Sequence, residues 1–471
     1  MRHARSLLPS LTLLTACGGA SVSAPPAPRF IEGGGLGDGA INGGLNVYVA
    51  DEDTRKPVSG ATVRVGASAD PAACSATTDS TGLAVFASPA CTILKGKQSI
   101  TASASGYAPS TWIGVDAANV TMNVRATTPA AVDSAIVTGT ITGWDALPAP
   151  ATNHNTLAII GPSADPALSD AANNLPQDQR MVTATIGGAM IQVPFPANLC
   201  IKNAYANDCS WRLKTRTGAQ AHFAVVLDQD TKGTDKDDTD DTFTVIGWAI
   251  RRGLTFSKDQ GADGEALTLL ADADMQPFST SFPSPPSGLD FVQAFPILQL
   301  GAEGRIAIVL PALDLQHTMT KVPKLTGAFS DAKYDLLAKA QDAKDKDQPS
   351  TLSWAHGVDA SKAVASPNWL ALPTGLQASG GTYSFTAVAD ATVQGAELQT
   401  MAGKRAWSIT IFDGTTSFTL PGVSPDPLPA GDARFAVSAL VIPGFKVNDA
   451  KFDDLRDTLT HISSDVITFT H

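Results

Sequence analysis

Residues 77–86 read TTDSTGLAVF. An aspartate that can bond its own backbone and a glycine that can take positive φ are followed at once by alternating large and small apolar residues. That order predicts a hairpin turn feeding a half-buried strand. The same texture extends in both directions. LNVYVAD at 45–51, ATVRV at 61–65, SITASA at 99–104 and VTMNV at 120–124 alternate with period two, and DTRKPVSG at 53–60 supplies a polar turn that ends in glycine. Short alternating runs with such punctuation predict a small antiparallel β-sandwich over 45–126.

The order of a first strand, KPVSGATVRV, TTDSTGLAVF and ITASASGYAPST resembles the carboxypeptidase regulatory-like domain, a transthyretin-type sandwich carried as an accessory module by many exported bacterial proteins. The resemblance covers about 45–126 and implies that fold with a spacer or binding role. It does not imply peptidase activity. A Cys74–Cys91 bridge is not part of the family pattern.

Outward from this module, TTPAAVDS at 127–134 reads as a joint, and AIVTGTITGW at 135–144 opens a larger β-rich region over 127–471. Strand candidates follow at 182–187, 190–195, 221–227, 242–250, 265–270, 305–310, 382–389, 406–412, 416–420, 435–442 and 465–469. Nearly all are short, β-branched or aromatic, and bounded by Gly, Pro, Asp or Ser. The fold class is therefore all-β, a small transthyretin/Ig-like β-sandwich followed by a large β-sandwich-rich region. The 471 residues leave room for two to four domains of about 150 residues each. The proline cluster MQPFSTSFPSPPSGLDF at 275–291 either divides two subdomains, within 275–311, or forms a long surface loop.

Two segments break the β texture and predict short helices. SDAKYDLLAKAQDAKDKD at 330–347 starts on an N-cap serine and places Tyr334, Leu337 and Ala338 on one side, while FDDLRDTLTHI at 452–462 spaces Phe452, Leu455 and Leu459 helically.

The amino terminus gives an address. Arg2 and Arg5, then Leu7, Leu8, Leu11, Leu13 and Leu14, then Thr15-Ala16 follow the order of an export signal, with an apolar part too short to span a bilayer. The quartet Leu14-Thr15-Ala16-Cys17 resembles the bacterial lipobox. The resemblance implies cleavage after residue 16 and acylation of Cys17, whose buried chains would contribute roughly 0.8 kcal/mol per methylene to anchoring. Gly18 and Gly19 lack the aspartate that favours inner-membrane retention in that family, which points to the outer membrane or cell surface. Residues 17–44, rich in Gly, Ala and Pro, read as a flexible stalk behind the anchor. Removing 1–16 shifts the formal charge from −12 to −14, the wrong sign for a nucleic-acid partner.

Four cysteines remain as two local pairs, Cys74 with Cys91 and Cys200 with Cys209. In an exported chain these read as disulfides; no Cys-x-x-Cys occurs and no histidine lies near either pair, so a metal site is the weaker reading.

The richest polar stretch, LDQDTKGTDKDDTDDTF at 227–243, should be the loop of one long hairpin. Calcium is the cation its carboxylates would take, at Asp228 and Asp230 with Asp235 and Asp237 behind them. Lys232 and Thr239 stand where an EF-hand needs ligands, so it is not one. The competing reading is a solvated acidic loop.

Catalytic signatures are absent: there is no His-Glu-x-x-His, Gly-x-Ser-x-Gly or P-loop, and Gly35-Leu36-Gly37 follows no strand. His154, His222, His317, His356, His461 and His471 are scattered, and five glutamates leave little for a glycosidase pair. Trp248 and Trp407 lie in strand patterns and read as core, whereas Trp354 and Trp369 sit in loop-like contexts and could stack on sugars. The expectation is a lipid-anchored envelope protein that binds or scaffolds a protein or glycan ligand. The alternatives are a hydrolase with a site assembled from C-terminal loops and a carbohydrate binder using loop aromatics.

Overall fold

The computed structural model describes residues 26–471 apart from 69, 130, 166–167, 169–172, 177, 187–188, 205, 235–239, 308–316 and 343–348. Cys17 and the signal-like residues lie outside the described residues, as do Asp235 and Asp237.

The first alternating runs form two facing layers. One sheet runs in the order Ala450–Lys451, Gly35–Gly37, Asn119–Ala126, Gly44–Asp51, Leu83–Ala87. Its central pair is parallel, with Asn46 opposite Asn119. The facing layer holds Cys74–Thr77, Thr62–Val65, Gln98–Ser103 and Ser110–Val115. Leu45, Val47, Val63, Ile100, Val120 and Met122 are fully buried between them, each contributing on the order of 1.5–3 kcal/mol of burial. The turn at 78–82 differs from the hairpin expected of it, because it carries the chain from one layer to the other. Thr78 Oγ1 donates to Val58 O and accepts from Ala61 N, both at 2.8 Å, and this pins the strand end inside the core. Asp79 then closes the turn, accepting from Thr81 N and Leu83 N at 2.8 and 3.1 Å.

Part of the expected stalk is built into this sandwich. Ile31, Leu36 and Ile41 are buried, and Gly35–Gly37 pairs with both Asn119–Ala126 and Ala450–Lys451. Composition misleads here because glycine serves close approach: a Cβ on Gly35 would lie 2.2 Å from Ala450 O.

The facing layer does not stop at the module's edge. Ser110–Val115 pairs in parallel with Arg405–Ile411, placing Ser110 beside Ser408 and Ile113 beside Ile411, and a twelve-stranded sheet continues from there into the C-terminal region. Across this seam Arg405 reaches Glu52 and Glu397 at 2.8 Å each, and Arg55 clasps Asp453 with two bonds of 3.0 Å.

Three further sandwiches follow the same logic. Ser134–Thr142, Ser210–Arg216 and Ala262–Thr268 face the sheet of His154–Pro162, Gly218–Asp230 and Thr242–Phe256 over Val137, Ile160, Trp211, Leu213 and Val226. Met275–Ser281 and His317–Pro323 cover the long sheet over Phe278, Val292, Tyr334 and Leu336. Thr374–Ser379, Thr382–Thr386 and Ser417–Thr419 cover it again over Tyr383, Phe385, Ile409 and Phe435. The proline cluster joins the two layers of a single sandwich, since Phe282, Leu289 and Val292 share one core.

The first expected helix is a strand. Lys333–Gln341 lies between Phe291–Gln299 and Ser350–Val358, with Tyr334, Leu336, Ala338 and Ala340 all fully buried at alternate positions. The segment satisfies both periods, and two neighbouring strands decide between them. The second helix is a single turn, Phe452–Leu455.

Candidate functional site

Where the first sandwich meets the C-terminal region, the seam leaves an open cleft of about 410 Å³. One wall is the long sheet, presenting Thr101, Thr111 and Ile113. The other is the layer of Thr382–Thr386 and Ser417–Thr419, presenting Thr382, Ser417 and Phe418. Phe412 N donates to Ile113 O at 2.9 Å, so the chain leaving Arg405–Ile411 runs along the end of Ser110–Val115 and delivers Asp413 to the cleft floor.

Asp413 is held there by a glycine. Gly114 has φ +80°, and a Cβ on it would lie 2.5 Å from Asp413 Cβ and Cγ, so only glycine admits the carboxylate at that point. Asp413 Oδ1 accepts from Thr415 N at 3.0 Å. Its Oδ2 and the hydroxyls of Ser99, Thr415 and Ser417 bond to none of the described residues. Deeper in the wall the polar groups are spent. Thr101 Oγ1 lies 2.9 Å from Thr111 Oγ1, which also accepts from Trp407 Nε1 at 2.9 Å, and Ser68 Oγ donates to Leu420 O at 3.0 Å across the cleft. An adjoining recess of about 490 Å³ shares Ser99 and Asp413 and adds Asp70, Lys95 and Lys97.

A second cavity, about 200 Å³, lies behind the same seam among Phe412, Phe445, Phe452, Leu455 and Leu459. Phe412 and Phe445 stack there at 5.7 Å. Among the described residues, Arg456 is its one charged lining residue.

Elsewhere the fold makes pairs that the sequence did not announce. His222 Nδ1 lies 3.1 Å from Glu265 Oε1 and its Nε2 lies 3.4 Å from Thr215 Oγ1. A carboxylate, an imidazole and a hydroxyl in that order resemble a nucleophile relay. His222, Thr215 and Gln220 are fully buried, however, and Thr215 donates its proton to Gln220 Oε1 at 2.6 Å. The imidazole stacks on Phe256 at 5.3 Å and meets the edge of Trp211, so the cluster is part of a core. His356 bridges Asp335 and Leu459 O at 3.1 and 2.8 Å, tying two strands to the segment that enters His461–Thr470. Burial and sequence distance hid these groups, since the partners stand 43 and 21 positions apart.

Both bridges form, with Cα atoms 5.7 Å apart for Cys74–Cys91 and 4.5 Å for Cys200–Cys209. Asp228 faces His154 Nδ1 at 3.0 Å, and Asp230 pairs with Lys232 through its backbone N–H and its ammonium. The two strands Gly218–Asp230 and Thr242–Phe256 do pair as a hairpin, but Asp228 and Asp230 lie within the first of them, opposite Thr244 and Thr242, and not in the loop expected over 227–243. Among the described residues, no three His, Cys, Asp or Glu side chains are grouped to hold a metal ion. Trp248 and Trp407 are core. Trp354 belongs to the strand Ser350–Val358, and Trp369 donates to Pro283 O at 2.9 Å while packing on the neighbouring core. The loop context expected for Trp354 is a strand, and the Trp369 ring is committed to the core of the neighbouring sandwich.

No family model and no curated protein matches the chain. Solved structures do. The Bacillus anthracis TIE protein aligns at 9% identity over 70% of this chain with a TM-score of 0.15, and the chain spans about half of that protein, 51%. A tetra-tandem repeat from the extending region of a large adhesion protein aligns at 13% identity over 91% of this chain and 99% of that one, with a TM-score of 0.15. A single-substitution form of the major pilin subunit of Bacillus cereus aligns at 9% identity over 69% and 99% of the two chains, with a TM-score of 0.14.

Proposed function

We propose that this chain is an exported, lipid-anchored protein of the cell envelope with a non-catalytic binding role, and that its ligand sits in the cleft around Asp413. The observation that carries the binding role is the set of unspent polar atoms, Asp413 Oδ2 with the Ser99, Thr415 and Ser417 hydroxyls, facing one open volume between two rigid layers. Buried polar groups in a folded chain find partners, whereas these groups, on Gln98–Ser103 and on the short segment from Asp413 to Ser417, stand open to a ligand. Among the described residues that line the main cleft, the polar groups are serine and threonine hydroxyls and the Asp413 carboxylate, which suit hydrogen bonding to a ligand.

The signal-like residues 1–16, the Leu14-Thr15-Ala16-Cys17 quartet and two disulfides support the address, because such bridges persist in oxidising compartments. Cell fractionation with mass spectrometry of the amino-terminal peptide tests it. The expected result is a chain in the membrane fraction that begins at an acylated Cys17, and Cys17→Ser should abolish the acylation. An unmodified thiol at that position, or a chain recovered with cytosolic markers, would overturn the anchor.

A further inference from the structure

We infer that the Asp413 cleft takes a neutral oligosaccharide. The inference rests on the binding role proposed above and names the chemical class of its ligand.

The lining groups select the class. A hydroxyl donates once and accepts twice, so a row of serine and threonine hydroxyls is satisfied by a ligand that is itself rich in hydroxyls. Ser99, Thr415 and Ser417 provide that row. Asp413 supplies a fixed charge-assisted acceptor, and two neighbouring hydroxyls of a sugar can both donate to one carboxylate. Its position is built into the backbone, since Gly114 at φ +80° exists in a strand end where any side chain would collide with Asp413. Ile113 on one wall and Phe418 on the other supply small apolar surfaces between the polar groups, which suit the C–H face of a pyranose.

Charge argues against other ligands. Among the described residues, the cleft and its adjoining recess are together lined by Asp70, Asp413, Lys95 and Lys97, two charges of each sign, so a strongly anionic or strongly cationic ligand is not favoured. An extended peptide would need an unpaired strand edge for its main chain. Ser110–Val115 and Gln98–Ser103 are not free for this, because both edges of each are already paired, and the outer strand that lines the cleft, Ser417–Thr419, offers an edge of three residues. The volume of about 410 Å³ lies within the range of small-ligand sites.

The test is affinity electrophoresis of the full mature chain through gels containing dextran, soluble starch or xylan, and separately alginate as the acidic control. Retardation by at least one neutral polysaccharide is expected, with none by alginate. Asp413→Asn, which keeps the shape, should weaken the binding by about tenfold, and Thr415→Val should weaken it less. Both variants should keep the parent's thermal midpoint, which separates lost binding from lost folding. Free migration in all three neutral gels, retardation by alginate alone, or full retardation of Asp413→Asn would each overturn the inference. A chain that fails here but still reaches the membrane with an acylated Cys17 loses the saccharide and keeps its address. One that binds and lacks the anchor does the reverse.

Discussion

Two clusters in this molecule are made of the same chemical groups and meet opposite fates. Around His222 a carboxylate, an imidazole, a hydroxyl and an amide are sealed between Trp211 and Phe256, and each has a partner. Around Asp413 a carboxylate and several hydroxyls face an open cleft with valences unspent. What covers a polar group decides whether it holds the fold or serves a ligand. In the first cluster two layers close over the groups; in the second, the two layers diverge from a shared seam.

The contrast predicts how each cluster answers to truncation. Glu265→Ala should cost about 3–5 kcal/mol in urea unfolding, because it strands His222 in an apolar core. Asp413→Ala should cost under about 1 kcal/mol, since water can take over the one exposed bond from Thr415 N. Equal losses would erase the distinction. It is sharpened by replacing both members of the buried pair. The Glu265→Leu, His222→Leu double variant should unfold less readily than Glu265→Ala, because it leaves no orphaned polar group.

A smaller loss, about 3 kcal/mol in the disputed chain-entropy model, should follow Cys74→Ser with Cys91→Ser, read as a lowered midpoint under oxidising conditions. Gly114→Ala should cost about 1–3 kcal/mol through its strained φ and should displace Asp413, so a stability loss accompanied by altered cleft chemistry is expected. A variant with the parent's stability would mean that the glycine does not position the carboxylate.

The mildest effect concerns pH. Burial holds the His461 imidazole below its ordinary 6.5. The unfolded chain therefore takes up the proton first, so this residue's contribution is complete above pH 6.5 and declines as pH falls below it. His461→Gln should flatten that shallow decline between pH 6.5 and 5, as seen in urea midpoints. An unchanged slope would remove His461 from the account.

Sequence periodicity exposed the layered fold because each strand buries one face and advertises it every second residue, as Val63 and Val65 or Phe435 and Val437 do. It failed where two periods coincide. Tyr334 and Ala338 serve both a helical stripe and an alternating face, and only the neighbouring strands choose. It failed again at 26–44, where glycine marks close contact and not slack. The cleft was hidden for a different reason. Gly114 and Asp413 become neighbours only through the parallel pairing of Ser110–Val115 with Arg405–Ile411, which local patterns do not encode. The hydroxyl-dense run Asp413-Gly414-Thr415-Thr416-Ser417 was the one local signal that could have drawn attention to it.

That seam carries the whole account, since it fixes both walls of the cleft. Native-state hydrogen exchange at Ser408 N–H and Phe412 N–H, which bond to Pro109 O and Ile113 O at 3.0 and 2.9 Å, tests it directly. The account predicts that both amides exchange as slowly as those in the centre of Asn119–Ala126, through global unfolding alone. Exchange at the rate of exposed loop amides would mean that the two regions part readily and that the cleft has no fixed shape.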